Sequence, residues 1–150
     1  MNTALSLTTL LAVFCIVAAV SPEYHTKVVT AVTTCSKQQN IDLKQLLGIL
    51  TDGKVPESNE YKCLYGCFYD KMGYLTDNKV DWGKVKALNT QKYDNPAMVE
   101  KVDKVIDTCS EGVAAKSTDI CENGLQAIKC FREESKKLQL PLPDVKFDSA

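Results

Sequence analysis

Apolar residues along this chain recur at helical rather than strand spacing. The clearest example lies in residues 58–75, where Leu64, Phe68 and Met72 follow one another at intervals of four. That interval places the three side chains on one face of a helix. We therefore predict a central helix here, closed at Gly73 and followed by a turn over residues 76–79.

Five further helices are predicted from the same periodicity and from residues that favour helix ends. Each predicted start carries a polar capping residue or follows a break in the apolar pattern. The starts lie at Tyr24, Asp42, Asp81, Asn95 and Thr118 or Asp119. No stretch alternates in the manner of a strand, so the sequence predicts an all-α fold of about six short helices.

Length and charge limit the classes of function. The chain has 150 residues, 45% of them hydrophobic, and a formal net charge of -1. This is the size and composition of one globular domain. Because the lysines and arginines are scattered rather than clustered, we expect no nucleic-acid partner and no binding to an anionic membrane surface.

Residues 1–19 are expected to be a secretory signal peptide rather than part of the fold. Residues 10–20 are uncharged and apolar, too short to span a bilayer comfortably, and Val17-Ala18-Ala19 suits cleavage after Ala19. A membrane anchor is the alternative. Cleavage would leave a single domain of residues 20–150, secreted to the extracellular space and not inserted in a membrane.

The cysteine count supports an oxidising compartment. The chain has seven cysteines, and loss of Cys15 with residues 1–19 would leave an even number. In a secreted chain of this size six cysteines predict three disulfides. A zinc site is the competing interpretation, but residues 20–150 hold a single histidine and no Cys-x-x-Cys pair, so we predict no metal and no cofactor.

Helix geometry removes some of the possible pairings. Cys63 and Cys67 are one turn apart on the central helix, where mutual bonding has poor geometry. Cys121 and Cys130 are nine residues apart on the last helix, which separates their Cα atoms by about 13.5 Å. Of the 15 pairings that six cysteines allow, roughly ten remain.

The order of intervals between these cysteines resembles that of the six-cysteine insect odorant-binding proteins. The intervening residues number 27, 3, 41, 11 and 8, and the intervals of 3 and 8 are the diagnostic ones. The resemblance implies the pairs Cys35–Cys67, Cys63–Cys121 and Cys109–Cys130. It also implies interlocked helices around an apolar cavity.

That family resemblance implies reversible binding of small hydrophobic odorants or pheromones, carried through aqueous fluid. It further implies an odorant receptor or a weak homodimer as partners. Apolar positions expected to face inward are candidates for the pocket, with ordinary core packing as the alternative for each. They are Leu64, Phe68, Met72, Trp82, Leu88, Met98, Val102, Val105, Ile128 and Phe131. Tyr65, Tyr69 and Tyr74 are candidate hydroxyl donors to a ligand, although surface contact is the commoner role of tyrosine.

Residues 138–150 form a proline-containing tail with more apolar residues than a frayed terminus needs. Val145 and Phe147 are candidates to cover the cavity mouth, and Asp144 and Asp148 to make that lid sensitive to pH. We found no catalytic motif and expect no enzyme. The alternative function is that of a secreted venom, salivary or reproductive-fluid protein that sequesters other ligands or binds a protein partner.

Overall fold

The computed structural model describes residues 20–113 and 118–141 and is built almost entirely of helices. The helices are α1 Pro22–Gln38, α2 Leu43–Thr51, α3 Asn59–Met72, α4 Trp82–Lys92, α5 Pro96–Gly112 and α6 Ile120–Lys137. Two short strands, β1 Leu75–Thr76 and β2 Lys79–Val80, lie between α3 and α4. The predicted all-α class and number of helices are confirmed.

Side chains at the helix starts explain where these helices begin. Asp42, Asp81, Asn95 and Asp119 each accept a hydrogen bond from a backbone N–H in the first turn of the helix that follows. Such a bond satisfies one of the donors that a helix start leaves without an intrahelical acceptor. All four capping residues agree with the predictions from the sequence.

The prediction that the chain contains no strand was wrong at one place. Leu75 pairs with Val80 and Thr76 with Lys79 in an antiparallel hairpin. Its two turn residues, Asp77 and Asn78, have φ angles of 51° and 61°. Asp and Asn tolerate this left-handed conformation, which a two-residue hairpin turn requires. A ladder of two residues is too short to produce a visible alternation of apolar and polar positions.

Three disulfides connect the helices through α3 and α6. Cys67 on α3 bonds to Cys35 on α1, and Cys63 on α3 bonds to Cys121 on α6. The opposite side of α6 carries Cys130, which bonds to Cys109 on α5. This is the pairing that the family resemblance implied, and it links four of the six helices covalently.

Two glycines allow α3 and α6 to cross in backbone contact. A Cβ atom added to Gly66 would lie 2.5 Å from the carbonyl oxygen of Ile120, and one added to Gly124 would meet the backbone of Gly66. Real side chains do not approach so closely. The adjacent Cys63–Cys121 bond, with a Cα–Cα distance of 4.1 Å, fixes the same crossing.

The core lies between α1, α3, α4, α5 and α6, with Leu46 inserted from α2. It contains aliphatic residues and four tyrosines that are at least nine-tenths buried: Tyr65, Tyr69, Tyr74 and Tyr93. Tyrosine rings contribute large apolar surfaces, but each buried hydroxyl also needs a hydrogen-bond partner. The core is therefore more polar than the helical pattern alone predicts.

Candidate ligand-binding site

Two neighbouring cavities lie among α1, α3, α4, α5 and α6. Both are partly open to solvent. The one of about 320 Å³ is named the outer cavity because exposed side chains, Glu23, Lys27 and Gln91, form part of its lining, and the one of about 70 Å³, whose lining is mostly buried, is named the inner cavity. The outer cavity is lined by Ser21, Glu23, Tyr24, Lys27, Met72, Tyr74, Leu88 and Gln91. The inner cavity is lined by Tyr24, Tyr69, Tyr74, Val85, Asn89, Lys92, Val102, Ile106 and Phe131. Tyr24 and Tyr74 belong to both and thus separate one cavity from the other.

The start of α1 is held against the end of α4, and this contact shapes the site. Val20 forms an antiparallel bridge with Tyr93. The backbone N–H of Ser21 donates to the carbonyl of Lys92 over 3.1 Å, and the Ser21 hydroxyl donates to the carbonyl of Gln91 over 2.7 Å. Tyr24, in the first turn of α1, is thereby placed beside Lys92.

Two tyrosines, Tyr24 and Tyr74, line both cavities. The hydroxyl oxygens of Tyr24 and Tyr74 are 3.2 Å apart and share a hydrogen bond. The ring of Tyr74 also meets that of Tyr69 edge to face, with centroids 5.8 Å apart. Burial raises the pKa of all three hydroxyls, so they remain neutral donors at physiological pH.

Lys92 brings a cationic group to the inner cavity. Its ammonium nitrogen lies 5.4 Å from the ring centroid of Tyr24, 4.9 Å from that of Tyr93 and 5.6 Å from that of Phe131. These are cation–π distances. Burial lowers the pKa of Lys92 to about 8, and no carboxylate in residues 20–113 or 118–141 forms an ion pair that would oppose this effect.

Asn89 also lines the inner cavity. Its Nδ2 donates to the Val99 carbonyl over 3.2 Å and to Asp103 Oδ1 over 2.8 Å. Because both of these partners are acceptors, the atom that contacts them must be the Nδ2 donor, and the other amide atom is the Oδ1 acceptor. The buried Oδ1 has no hydrogen-bond partner in the described part of the chain.

Four of the ten predicted pocket residues line these cavities. Met72 and Leu88 border the outer cavity, and Val102 and Phe131 border the inner one. The other six pack within the core or against it and border neither cavity: Leu64, Phe68, Trp82, Met98, Val105 and Ile128. Helical periodicity identifies the buried face of a helix, but it does not show which buried side chains border a space.

The polar lining was largely missed from the sequence. Of the three tyrosines considered as donors, Tyr69 and Tyr74 line the inner cavity, whereas the Tyr65 hydroxyl donates to the Pro56 carbonyl over 3.2 Å. Tyr24, Asn89 and Lys92 were not among the candidates. The i, i+3 spacing of Asn89 and Lys92 on a helix that also carries Val85 was the available indication.

Two predictions concern residues outside the described ranges. They are the signal peptide of residues 1–19 and the lid candidates in the tail: Val145, Phe147, Asp144 and Asp148. Leu140, earlier in the tail, packs partly buried against the core. In the described ranges no group of three potential metal ligands occurs, and no helix there has the length and apolarity needed to cross a bilayer.

Comparisons with known proteins agree with the cysteine framework. The model of the PBP/GOBP family matches residues 17–134. The structure is similar to that of odorant-binding protein dmelOBP28a from Drosophila melanogaster, with a TM-score of 0.64 and 24% identity, covering 79% of this chain and 98% of that one. A comparison with curated protein sequences finds no significant match.

A second structural relative is Odorant Binding Protein 7 from Anopheles gambiae, which has four disulfide bridges and was solved in complex with an azo compound. The TM-score is 0.60 and the identity 19%, with 83% of this chain and 98% of that chain covered. At these identities the two structures establish the shared fold. With the family model matching most of the chain and the six cysteines paired as in that family, this protein belongs to the PBP/GOBP family of odorant-binding proteins.

Proposed function

We propose that this protein is a secreted carrier, without enzymatic activity, that reversibly binds small hydrophobic odorants or pheromones in an internal cavity. It would carry them through aqueous fluid to receptors. The observation that carries the proposal is the pair of adjoining cavities, both partly open to solvent, between the helices of a disulfide-linked bundle of this family. The azo compound bound to the Anopheles relative also supports a small organic ligand.

The disulfides help to explain how the fold tolerates cavities between its helices. A cavity removes packing contacts that a domain of this size would otherwise need. Each bridge restricts the unfolded chain and stabilises the native state by roughly 2 to 4 kcal/mol. We infer that the covalent links offset the packing lost around the two cavities.

Displacement of a fluorescent apolar probe tests the proposal. We expect the oxidised protein to bind N-phenylnaphthylamine and to release it when micromolar fatty alcohols, esters, terpenoids or aromatic volatiles are added, some more effectively than others. Leu88→Trp, which fills part of the outer cavity, should weaken probe binding by about tenfold, equivalent to 1.4 kcal/mol.

The matched control is Leu138→Trp, because Leu138 is 40% exposed and lines neither cavity. It should leave probe binding unchanged. If the correctly oxidised wild-type protein binds no probe, the carrier proposal is wrong, and a protein-binding role on the same scaffold takes its place. Leu138 is the one large hydrophobic side chain that is exposed in the described ranges, so no extended apolar surface there favours that alternative.

A further inference from the structure

The inner cavity contains an acceptor and a donor that neighbouring side chains leave available. Asn89 is 4% exposed and lines this cavity, and its Oδ1 has no partner within the described residues. A buried carbonyl oxygen without a hydrogen bond has lost its contact with water and gained nothing in exchange. A molecule that donates to Asn89 Oδ1 would recover part of the free energy lost in this way.

Lys92 supplies the donor. It lies three residues after Asn89 on α4, so the two side chains project from the same side of the helix, and both line the inner cavity. Its amine is covered by aromatic rings rather than by a carboxylate of the described residues. Either protonation state of the amine retains at least one N–H to donate.

Asn89 and Lys92 line the same small cavity and offer it an acceptor and a donor. On this basis, which rests on the proposed carrier function, we propose that the inner cavity binds the hydroxyl of an alcohol, which bonds to both side chains. The hydroxyl donates to Asn89 Oδ1 and accepts from Lys92 Nζ. An aldehyde, ester or ether oxygen would accept from Lys92 but leave Asn89 Oδ1 unpaired. A carboxylate would meet Lys92 favourably, but it has no proton to donate to Asn89 Oδ1 and would place two acceptors together.

The sizes of the two cavities suit a ligand with a small hydroxyl-bearing head group and a larger hydrocarbon body. The inner cavity, of about 70 Å³, has room for a small head group. The outer cavity, of about 320 Å³, is larger and is bordered by Met72 and Leu88 together with polar and charged side chains. The Tyr24 and Tyr74 hydroxyls are hydrogen-bonded over 3.2 Å between the two cavities, so a ligand that occupies both has to break that bond and displace a tyrosine ring. The hydrocarbon body then lies in the outer cavity and the hydroxyl in the inner one.

Probe displacement by compounds of matched chain length tests this assignment without altering the protein. We would compare octanol, octanal, methyl octyl ether and octanoate in the presence of N-phenylnaphthylamine. Octanol is expected to bind about tenfold more tightly than the ether and the aldehyde, because a missing hydrogen bond to a buried group costs on the order of 1 kcal/mol or more. Equal affinities, or tightest binding by octanoate, would overturn the alcohol site.

Variants then test Lys92. Lys92→Met keeps the apolar stem and removes the donor, and we expect it to reduce the preference for octanol over octane by about threefold to tenfold. Lys101→Met, at an exposed position on α5, should leave that preference unchanged. An unchanged preference in the Lys92 variant overturns the proposal. If wild-type protein binds neither probe nor any of these compounds, the carrier function itself fails, which distinguishes the two hypotheses.

Discussion

The hydroxyl oxygens of Tyr24 and Tyr74 lie 3.2 Å apart at the boundary between the outer and inner cavities. One tyrosine comes from α1 and the other follows α3 directly, so their hydrogen bond joins elements that are 50 residues apart in sequence. The pair thus contributes both to the stability of the fold and to the shape of the site.

Replacement of either tyrosine by phenylalanine should lower the free energy of unfolding. Tyr24→Phe or Tyr74→Phe leaves the remaining hydroxyl without this partner, and we expect a loss of about 1 kcal/mol in each case. The double variant should lose less than the sum, because neither hydroxyl is then left unpaired. Urea unfolding of the four proteins measures this coupling, and strictly additive losses would contradict it.

Tyr61→Phe is the matched control. The Tyr61 hydroxyl is buried and has no hydrogen-bond partner among the described residues. Removing a buried hydroxyl that lacks a partner should leave stability within about 0.5 kcal/mol of wild type or increase it.

The glycines at the α3–α6 crossing should not accept a side chain. Gly66→Ala and Gly124→Ala each place a Cβ atom against the backbone of the opposite helix. We expect each to destabilise the protein by about 2 to 4 kcal/mol, because two backbones must separate. Thermal unfolding of the oxidised variants measures the loss.

Gly48→Ala provides the comparison within α2. No atom lies within 4 Å of a Cβ placed at Gly48. Alanine is the better helix former, so this variant should gain about 0.5 to 1 kcal/mol. Similar losses at Gly48 and Gly66 would refute the assignment of close contact to the crossing.

The three disulfides should differ in their contribution to stability. Cys63–Cys121 spans 58 residues and Cys109–Cys130 spans 21. In the chain-entropy model these closures stabilise by about 4 and about 3 kcal/mol. Paired serine variants, unfolded in urea, should therefore show the greater loss when Cys63–Cys121 is removed, and the reverse order would contradict this account.

Lys92 should make stability depend on pH in the mildly alkaline range. Its pKa is about 8 in the folded protein, below the ordinary value of 10.5 that applies when the chain is unfolded. Between these values the unfolded chain binds more protons, so the free energy of unfolding should rise with pH by about 1 to 3 kcal/mol. Below pH 8 the lysine is charged in both states, and the full cost of burying that charge is present.

Comparison with Lys92→Met isolates this effect. In this variant the free energy of unfolding should not rise between pH 8 and pH 10. At higher pH both proteins should become less stable, because burial raises the pKa of several tyrosines, that of Tyr93 to about 12, and the unfolded chain then loses tyrosine protons first. Parallel curves for wild type and variant below pH 10 would show that the Lys92 ammonium is not desolvated.

Local chemistry explains which parts of the fold were predictable from sequence. Helix starts at Asp42, Asp81 and Asn95 depend on contacts within one turn, and these were placed correctly. The α3–α6 crossing depends on two glycines 58 residues apart, and nothing near either one indicates its partner. Helix geometry likewise left about ten disulfide pairings open, and the family resemblance was needed to select one.

The candidate site was harder to predict because it, too, depends on contacts between residues distant in sequence. Apolar periodicity correctly placed Met72, Leu88, Val102 and Phe131 on inward faces. Apolar periodicity does not identify a polar side chain that is buried by elements distant in sequence. A lysine in the last turn of a helix is ordinarily explained by its favourable interaction with the helix dipole. The position of Lys92 among three aromatic rings depends instead on how α1 and α6 pack against α4.

Methyl NMR of the methionines tests the central claim most directly, because Met72 lines the outer cavity and Met98 lines neither. Protein labelled with ¹³C at the methionine methyl groups would be titrated with octanol, and the two resonances would be assigned from Met72→Leu and Met98→Leu variants. We predict a saturable shift of the Met72 methyl while that of Met98 stays nearly constant. Probe displacement without any change at Met72, or equal shifts at both methyls, would contradict a binding site in the paired cavities.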